Sequence, residues 1–386
     1  MTSQTPAPRI AIVGAGIIGL AHAVAALDAG FRVTVLEQDA AAVTASVRNF
    51  GHVGASVQFG ELGELAAASL PIWLSLAERA GVTARRSGTL AVARSAAEAA
   101  VLEEVAAERA PEGARLLPGA EAAAALALEA GSRAAAAVRA GLLFPADVTA
   151  DPRTAVARIA AWVGAHERGE VRFSTTVHAV HTGRVETNRG TVEADHIIVA
   201  TGHLLGRLFP EVAAAAGVRE CALQMARVRP PHAMGLGPAV LTGTSMLRYG
   251  RFAGPAADAL RAELFAARPE FAEIAANVMF TQQADGTLLV GDTHAAHDAA
   301  PPFLDERWSR ILLDEVAALL GAPELEVLER WQGLYATSEL GDICRAAPAP
   351  GVSIVTLTTG VGMTVGLGLG ARTIAALVQG VEPATH

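Results

Sequence analysis

No lysine occurs anywhere in the 386 residues, so all 30 positive charges are arginine. That absence excludes a Schiff-base lysine, pyridoxal-phosphate chemistry and a Walker-type phosphate loop, each of which needs an amine at a fixed place. Cationic chemistry must come from arginine or histidine. Cys221 and Cys344 are the only cysteines, which leaves neither a disulfide framework nor a cysteine-rich metal site. Aromatic residues make up 4% of the chain, and only two are tyrosine. No basic cluster interrupts a net charge of −9, which argues against nucleic acid as a partner. A basic leader before an apolar core is missing too: residues 1–8 are polar and contain proline, so a cytoplasmic protein is expected.

Uninterrupted apolar runs are also scarce, although hydrophobic residues are 52% and the mean hydropathy is +0.35. Alanine and glycine produce most of that excess. The two candidate spans, residues 10–27 and 360–378, are punctuated by glycine, and the second carries Arg372, so they read as buried elements rather than membrane helices.

What is present begins with the apolar run Arg9-Ile10-Ala11-Ile12-Val13, which leads into Gly14-x-Gly16-Ile17-Ile18-Gly19 and then an alanine-rich helical stretch. In a strand–turn–helix of this kind Gly14 permits the turn, Gly16 lets the backbone approach a pyrophosphate and Gly19 lets helix and strand pack closely. A second apolar run, residues 31–36, closes on Glu37, at the spacing where a carboxylate takes both hydroxyls of an adenosine ribose and disfavours a 2′-phosphate. An adenine dinucleotide follows, FAD or NAD rather than NADP.

At this length the chain has room for two substantial domains. A polar, turn-rich stretch from Thr44 to His52 follows the ribose acid. Helical patterns are expected over 62–80, from after Ala93 to about Arg109, through the alanine-rich 119–140, over 152–166 and over 305–320. The run Asp195 to Gly202 reads as a buried strand ending in Ala200-Thr201-Gly202. From Cys221 to Glu329 strand-like runs dominate, including 222–228, 239–247, 278–281 and 287–290, which indicates a largely antiparallel sheet. A last strand over 352–359 ends in Gly360-x-Gly362-Met363-Thr364, a glycine turn opening the final helix. The cofactor fold is therefore expected to be assembled from both ends and the middle of the chain.

On these motifs, together with Ser46-Val47-Arg48-Asn49-Phe50-Gly51, the chain resembles flavoproteins of the D-amino acid oxidase, glycine oxidase and sarcosine oxidase superfamily over nearly its whole length. The stretches 286–294 and 329–336 are similar to a bacterial subgroup linked to aminophosphonate catabolism. The resemblance implies an α/β fold with a Rossmann-like FAD-binding domain of the glutathione-reductase type, discontinuous over 1–86, 145–220 and 330–386. A substrate-binding domain, largely antiparallel sheet, would occupy 87–144 and 221–329. It also implies that Gly14, Gly16, Ile17, Ile18, Gly19, Glu37 and Gln38 hold the ADP half of FAD, with Val177 meeting the adenine. Ser46, Arg48 and Asn49 would line the phosphate and ribityl path, Ala200, Thr201 and Gly202 would approach from the sheet, and Gly333, Gly360, Gly362, Met363 and Thr364 would reach the flavin ring.

The departures are informative. Sarcosine oxidases attach their flavin through a cysteine in the stretch matching residues 331–335, and none is present, so noncovalent FAD is expected. They also use a lysine to activate oxygen; its absence leaves His52 or an arginine as the local cation, or leaves oxygen a poor acceptor. The implied chemistry is oxidation of a small amine bearing an anionic group, by hydride transfer to flavin, imine hydrolysis and reduction of O₂ to hydrogen peroxide. An aminophosphonate or its N-methylated relative is the first expectation, with glycine, sarcosine or a D-amino acid second. An amine dehydrogenase with another electron acceptor is a further alternative, and a flavin-binding protein without turnover a third. Candidate catalytic residues are His52, Arg248, Tyr249 and Tyr335, with Arg248 and Tyr249 placed at the end of a strand and suited to a carboxylate or phosphonate. Asp292, His294, His297 and Asp298 match no zinc spacing and read as a polar loop. Gln224 and Met225 read as strand interior. Oligomeric state is left open.

Overall fold

The computed structural model describes residues 7–380. At its centre the strand Arg9–Val13 lies parallel to Arg32–Leu36 on one side and to His196–Val199 on the other. Its inner residues Ile10 to Val13 are buried, as expected of a strand covered on both faces. The sheet is completed by Gly169–Arg172 at one edge and by Val352–Leu357 and Ile343–Ala349 at the other, giving six strands. All pairings are parallel except the last, so the strands drawn from residues 9–13, 196–199 and 352–357 run in one direction side by side. Residues far apart in the sequence thus end their strands at one edge of the sheet.

Three helices pack together beside this sheet: Ile17–Asp28, Gly60–Arg79 and Gly362–Val378. The last has no bulky residue at its closest approaches. A Cβ on Gly366 would stand 3.1 Å from Ile18 Cδ1, and one on Gly370 would stand 2.6 Å from the carbonyl carbon of Ala21. These glycines are four residues apart and lie on one helical face. Trp73, fully buried, donates from Nε1 to the carbonyl of Met363 at 2.8 Å and fixes the start of the final helix. Arg372 meets Glu61 and Glu64 at its exposed side. Among the described residues no helix is long and apolar enough to cross a membrane.

The second sheet has nine strands and is antiparallel except where Ala239–Leu241 runs parallel to Thr89–Ala93. Its longest ladder pairs Arg219–Arg229 with Glu326–Thr337, setting Leu223 across from Gly333 and Cys221 across from Tyr335. The chain position 330, expected as a boundary, falls inside that second strand. Helix Glu306–Leu320, capped by the Asp305 carboxylate on Arg307 N–H, buries Leu312, Val316 and Leu319 in the same core as Val228, Leu288 and Val290.

Two expectations about elements are corrected. The strand expected over 239–247 stops at Leu241, and a short helix, Gly243–Met246, follows. Side-chain hydroxyls redirect it: Thr242 and Ser245 donate to the carbonyl of Val278, at 2.8 and 3.1 Å, and Thr244 Oγ1 accepts from Val278 N–H at 2.8 Å. Backbone groups that a longer ladder would have satisfied are thus satisfied locally. The alanine-rich 119–140 forms two short helices, Gly119–Ala125 and Arg133–Ala137, before the strand Ala140–Phe144 begins.

Substitution Gly370→Ala overpacks the seam between the first and last helices and is expected to lower unfolding free energy by about 1–3 kcal/mol. Urea denaturation of the two proteins measures it, and an unchanged midpoint would contradict this packing.

Candidate active site

A cavity of about 460 Å³ runs from the Gly14 turn to the antiparallel sheet, within the size range of small-molecule sites. At one end the turn after Arg9–Val13 is close-packed. Gly14 has φ +105°, and a Cβ there would stand 3.1 Å from the carbonyl carbon of Ala200. Gly16 would bring a Cβ to 3.2 Å from Ser46 Oγ, the same atom that accepts from Ile17 N–H at 2.9 Å. Glu37 is held by two backbone donors, Ala15 N–H at 2.8 Å and Asp39 N–H at 3.1 Å. Its carboxylate is thereby placed at the end of the second strand, inside the cavity wall.

Along the middle, Arg48 donates to the carbonyl of Gln332 at 3.0 Å and ties its loop to the antiparallel sheet. Asn49 borders the cavity, but its amide spends both ends on its own loop, donating to the carbonyls of Ala45 and Ser46 and accepting from Gly51 N–H. Thr201 and Thr356 present buried hydroxyl oxygens with no hydrogen-bond partner, and both residues line this cavity. Buried polar atoms in that state are completed by a ligand or water.

At the far end Gly360, with φ +74°, lies flat against Tyr335, whose ring would be 2.9 Å from an added Cβ. The first turn of helix Gly362–Val378 opens toward the cavity through Gly362, Met363 and Thr364 and carries the positive end of its dipole. Arg248 Nη2 donates to Tyr335 Oη at 3.2 Å. Burial opposes the charge of Arg248, but Tyr335, Asp292 and Tyr249 more than offset this and hold the guanidinium above its ordinary range. Tyr249 donates to Met279 Sδ at 3.4 Å, and burial pushes its phenol up to about 12. Burial likewise raises Tyr335.

Every residue proposed from the sequence for the site lines this cavity except Gly19: the turn residues Gly14, Gly16, Ile17 and Ile18, Glu37 with Gln38, Ser46 to Asn49 less Val47, Val177, and Ala200 to Gly202 at one end, then His52, Arg248, Tyr249, Gly333, Tyr335, Gly360 and Gly362 to Thr364. Gly19 sits behind the turn, where a Cβ would collide with the carbonyl oxygen of Gly14. Met225 borders the cavity, whereas Gln224 is turned away and meets Ser309.

Three expectations at the far end of the cavity are corrected. Arg248 and Tyr249 follow the short helix Gly243–Met246 rather than ending a strand. His52 is not a local cation. Thr89 Oγ1 donates to Asp147 Oδ2 at 2.6 Å, so it accepts from His52 Nε2 at 2.7 Å, and burial lowers the imidazole to about 4. Asp147 accepts from Ser56 N–H as well, and its burial raises it to about 6.

The third correction concerns the supposed polar loop. Asp292 and His294 are buried and line the cavity. Asp292 and Asn277 exchange both backbone hydrogen bonds, at 2.7 and 2.9 Å, and Asn277 Nδ2 donates to Asp292 Oδ1 at 2.9 Å. The signal available in the sequence was a polar Asp-Thr-His run directly after the apolar strand Leu288–Gly291. Asp298 is instead exposed and pairs with Arg219 at 2.9 Å.

A family model described as FAD dependent oxidoreductase, DAO, matches residues 9–377. Among solved structures, glycine oxidase from Geobacillus kaustophilus is similar with TM-score 0.74 and 19% identity, covering 98% of this chain and 97% of its own. Iminodiacetate oxidase from a Chelativorans species gives TM-score 0.72 at 18% identity, covering 97% and 96%. L-α-glycerophosphate oxidase from Mycoplasma pneumoniae, a structure with FAD bound, gives 0.70 at 19%, covering 96% and 95%. No curated protein sequence matches the chain.

In a histidine-labelled NMR titration the His52 ring is expected to remain neutral at pH 5, because its burial resists protonation. Half-protonation near pH 6.5 would contradict that environment.

Proposed function

The chain belongs to the DAO family of FAD-dependent oxidoreductases, matched from residue 9 to 377, and we propose that it oxidises a small amine bearing one anionic group. The observation that carries this reading is Arg248: a cavity-lining guanidinium bonded to Tyr335 Oη, both lining the cavity whose other wall is the glycine turn opening the last helix. A guanidinium takes a carboxylate or phosphonate through two parallel hydrogen bonds, and the Tyr335 hydroxyl adds a third donor. Three donors suit a phosphonate, so an aminophosphonate or its N-methylated form is placed first, with glycine, sarcosine or a D-amino acid second.

FAD fits the residues present. The partnerless hydroxyls of Thr201 and Thr356, the tight Gly14 and Gly16 approaches and the preset Glu37 carboxylate all border the cavity. Gly14, Gly16, Glu37, Gln38 and Val177 would hold the adenosine and pyrophosphate, Ser46 and Arg48 the middle, and Gly362, Met363 and Thr364 the ring. When bound, the flavin supplies a hydride acceptor. Cys221 and Cys344 are free and buried, and neither lines the cavity, which supports noncovalent attachment.

The roles of the chain's own side chains follow. Arg248 and Tyr335 bind the anion and so fix the distance at which the carbon beside the nitrogen is presented. Tyr249 and Met279 close the wall with an apolar face and one hydroxyl already engaged, which limits water. His52, neutral and tied through Thr89 to Asp147, anchors the wall by accepting Thr364 Oγ1–H on its backbone carbonyl at 3.2 Å. The released imine is hydrolysed to a carbonyl compound and an amine or ammonia. Oxygen as acceptor would give hydrogen peroxide. A quinone or protein acceptor is the second reading, favoured by the neutrality of His52 and the lack of any lysine.

Purified protein is expected to carry FAD released by acid or heat without residue on the polypeptide, and to bleach anaerobically with one class in a panel of aminophosphonates, N-methyl amino acids and amino acids. A protein that cannot be loaded with FAD, or whose spectrum no amine changes, would sink the proposal. Arg248→Met should raise KM for the responding amine by about 10- to 100-fold, the worth of a charge-assisted pair, with a smaller effect on kcat; an unchanged KM would remove Arg248 from anion binding.

A further inference from the structure

The same cavity carries, beside its cation, two facing acceptors with no proton between them. His294 Nδ1 lies 3.0 Å from the carbonyl of Ala275, and since a carbonyl only accepts, Nδ1 carries the ring's proton. Nε2 of the neutral ring is then a bare lone pair, and it faces Asp292 Oδ2 at 3.5 Å. Neither group can donate to the other until one proton is supplied. Asp292 cannot turn away, because its backbone is paired twice with Asn277 and its other oxygen is bonded to Asn277 Nδ2. Asn277 leaves its own Oδ1 buried and without a partner, and this residue also lines the cavity. A rigid wall of three acceptors thus adjoins the donors Arg248 and Tyr335.

We infer that Asp292 and His294 form a proton-accepting pair that binds the substrate's ammonium group and takes one proton from it. The inference rests on the amine reading above. The step balances without any further reagent: R–NH₃⁺ with the Asp292 carboxylate gives R–NH₂ and the Asp292 carboxylic acid, whose O–H then bonds His294 Nε2. The N–H bond broken leaves its electron pair on nitrogen, the state from which a hydride can depart from the adjacent carbon. Arg248 stays charged and holds the anion throughout, and Asn277 Oδ1 receives a remaining N–H.

Polar and titratable groups around Asp292 and His294 come from four further segments: Arg248 and Tyr249 after the short helix, Asn277 before the strand Met279–Gln282, Tyr335 on Glu326–Thr337 and Cys221 on Arg219–Arg229. Burial raises Asp292 to about 6, and burial keeps His294 unprotonated. The pair therefore lacks its proton at neutral pH and is filled as pH falls below about 6.

The test uses the FAD-loaded full chain, with anaerobic flavin reduction by the amine that bleaches the unmodified protein, from pH 5.5 to 9.5. Separately, ethylphosphonate and acetate, anions without the amine, are titrated by their perturbation of the flavin spectrum. In the unmodified protein the reduction rate should be nearly flat down to about pH 6 and fall below it. For Asp292→Asn, which keeps the bond from Asn277, reduction at pH 7 should slow at least about 10-fold, as loss of a proton acceptor does. The deficit should shrink above the amine's own pKa, while the amine-free anions bind as tightly as before or more tightly. A deficit constant across pH, an unaffected rate, or amine and anion weakening together would overturn the inference. If the variant does not hold FAD, the unmodified protein decides alone: a rate that climbs tenfold per pH unit from pH 6 to 9 means that solvent, and not this pair, removes the proton. Failure of the amine reading looks different, since then no amine bleaches the unmodified protein at any pH.

Discussion

The contact on which the rest depends is the parallel ladder that places Arg9–Val13, His196–Val199 and Val352–Leu357 side by side. Parallel strands end at the same edge, and in an open sheet the space outside their carboxyl ends is where ligands bind. Each of these strands leaves the sheet through small residues: Gly14, then Ala200-Thr201-Gly202, then Gly360 and Gly362. The cavity exists because three turns without bulky side chains stand next to one another. Behind them the glycine seam of the last helix lets the three helices close up, so the ladder and the seam support each other.

The second sheet supplies the opposite kind of environment. The ladder between Arg219–Arg229 and Glu326–Thr337 carries Tyr335 to the cavity, and Gly333 allows Leu223 and the carbonyl of Arg48 to approach closely. Few charges enter. His52 is neutralised by burial, and the guanidinium of Arg248 is retained because Asp292 and two tyrosines surround it. In a chain without lysine, Arg248 and the buried Asp292 place opposite charges at this end of the cavity.

The parts legible in the sequence are those whose meaning is local. The glycine turn, the strand closing on Glu37, the Ala200-Thr201-Gly202 turn and the Gly360–Thr364 turn each declare themselves within a dozen residues, because backbone clearance is a property of the segment itself. Arg248 and Tyr335 were legible as residue types in suggestive places. Their bond was not, because it joins a residue just after a short helix to one on a strand 87 positions further along the chain. His52 was one candidate for the local cation because the burial that removes its charge comes from residues far along the chain, Thr89 and Asp147 among them. The backbone path before Arg248 was misread because Thr242, Thr244 and Ser245 bond to Val278, a partner no periodicity reveals. Asp292 and His294 read as a polar loop for the same reason: only Asn277 and Ala275, folded back against them, turn that loop into a buried wall.

The most direct measurement of the central claim, that three distant stretches close around one flavin, is a crystal structure of the protein with FAD. The account predicts the ribose of the adenosine at Glu37, the pyrophosphate at Gly14 to Gly16, the ring edge at Gly362 to Thr364, and Arg248 with Tyr335 beside the ring's open face. Flavin bound elsewhere, or with its ring away from the final helix and from Arg248, would contradict it.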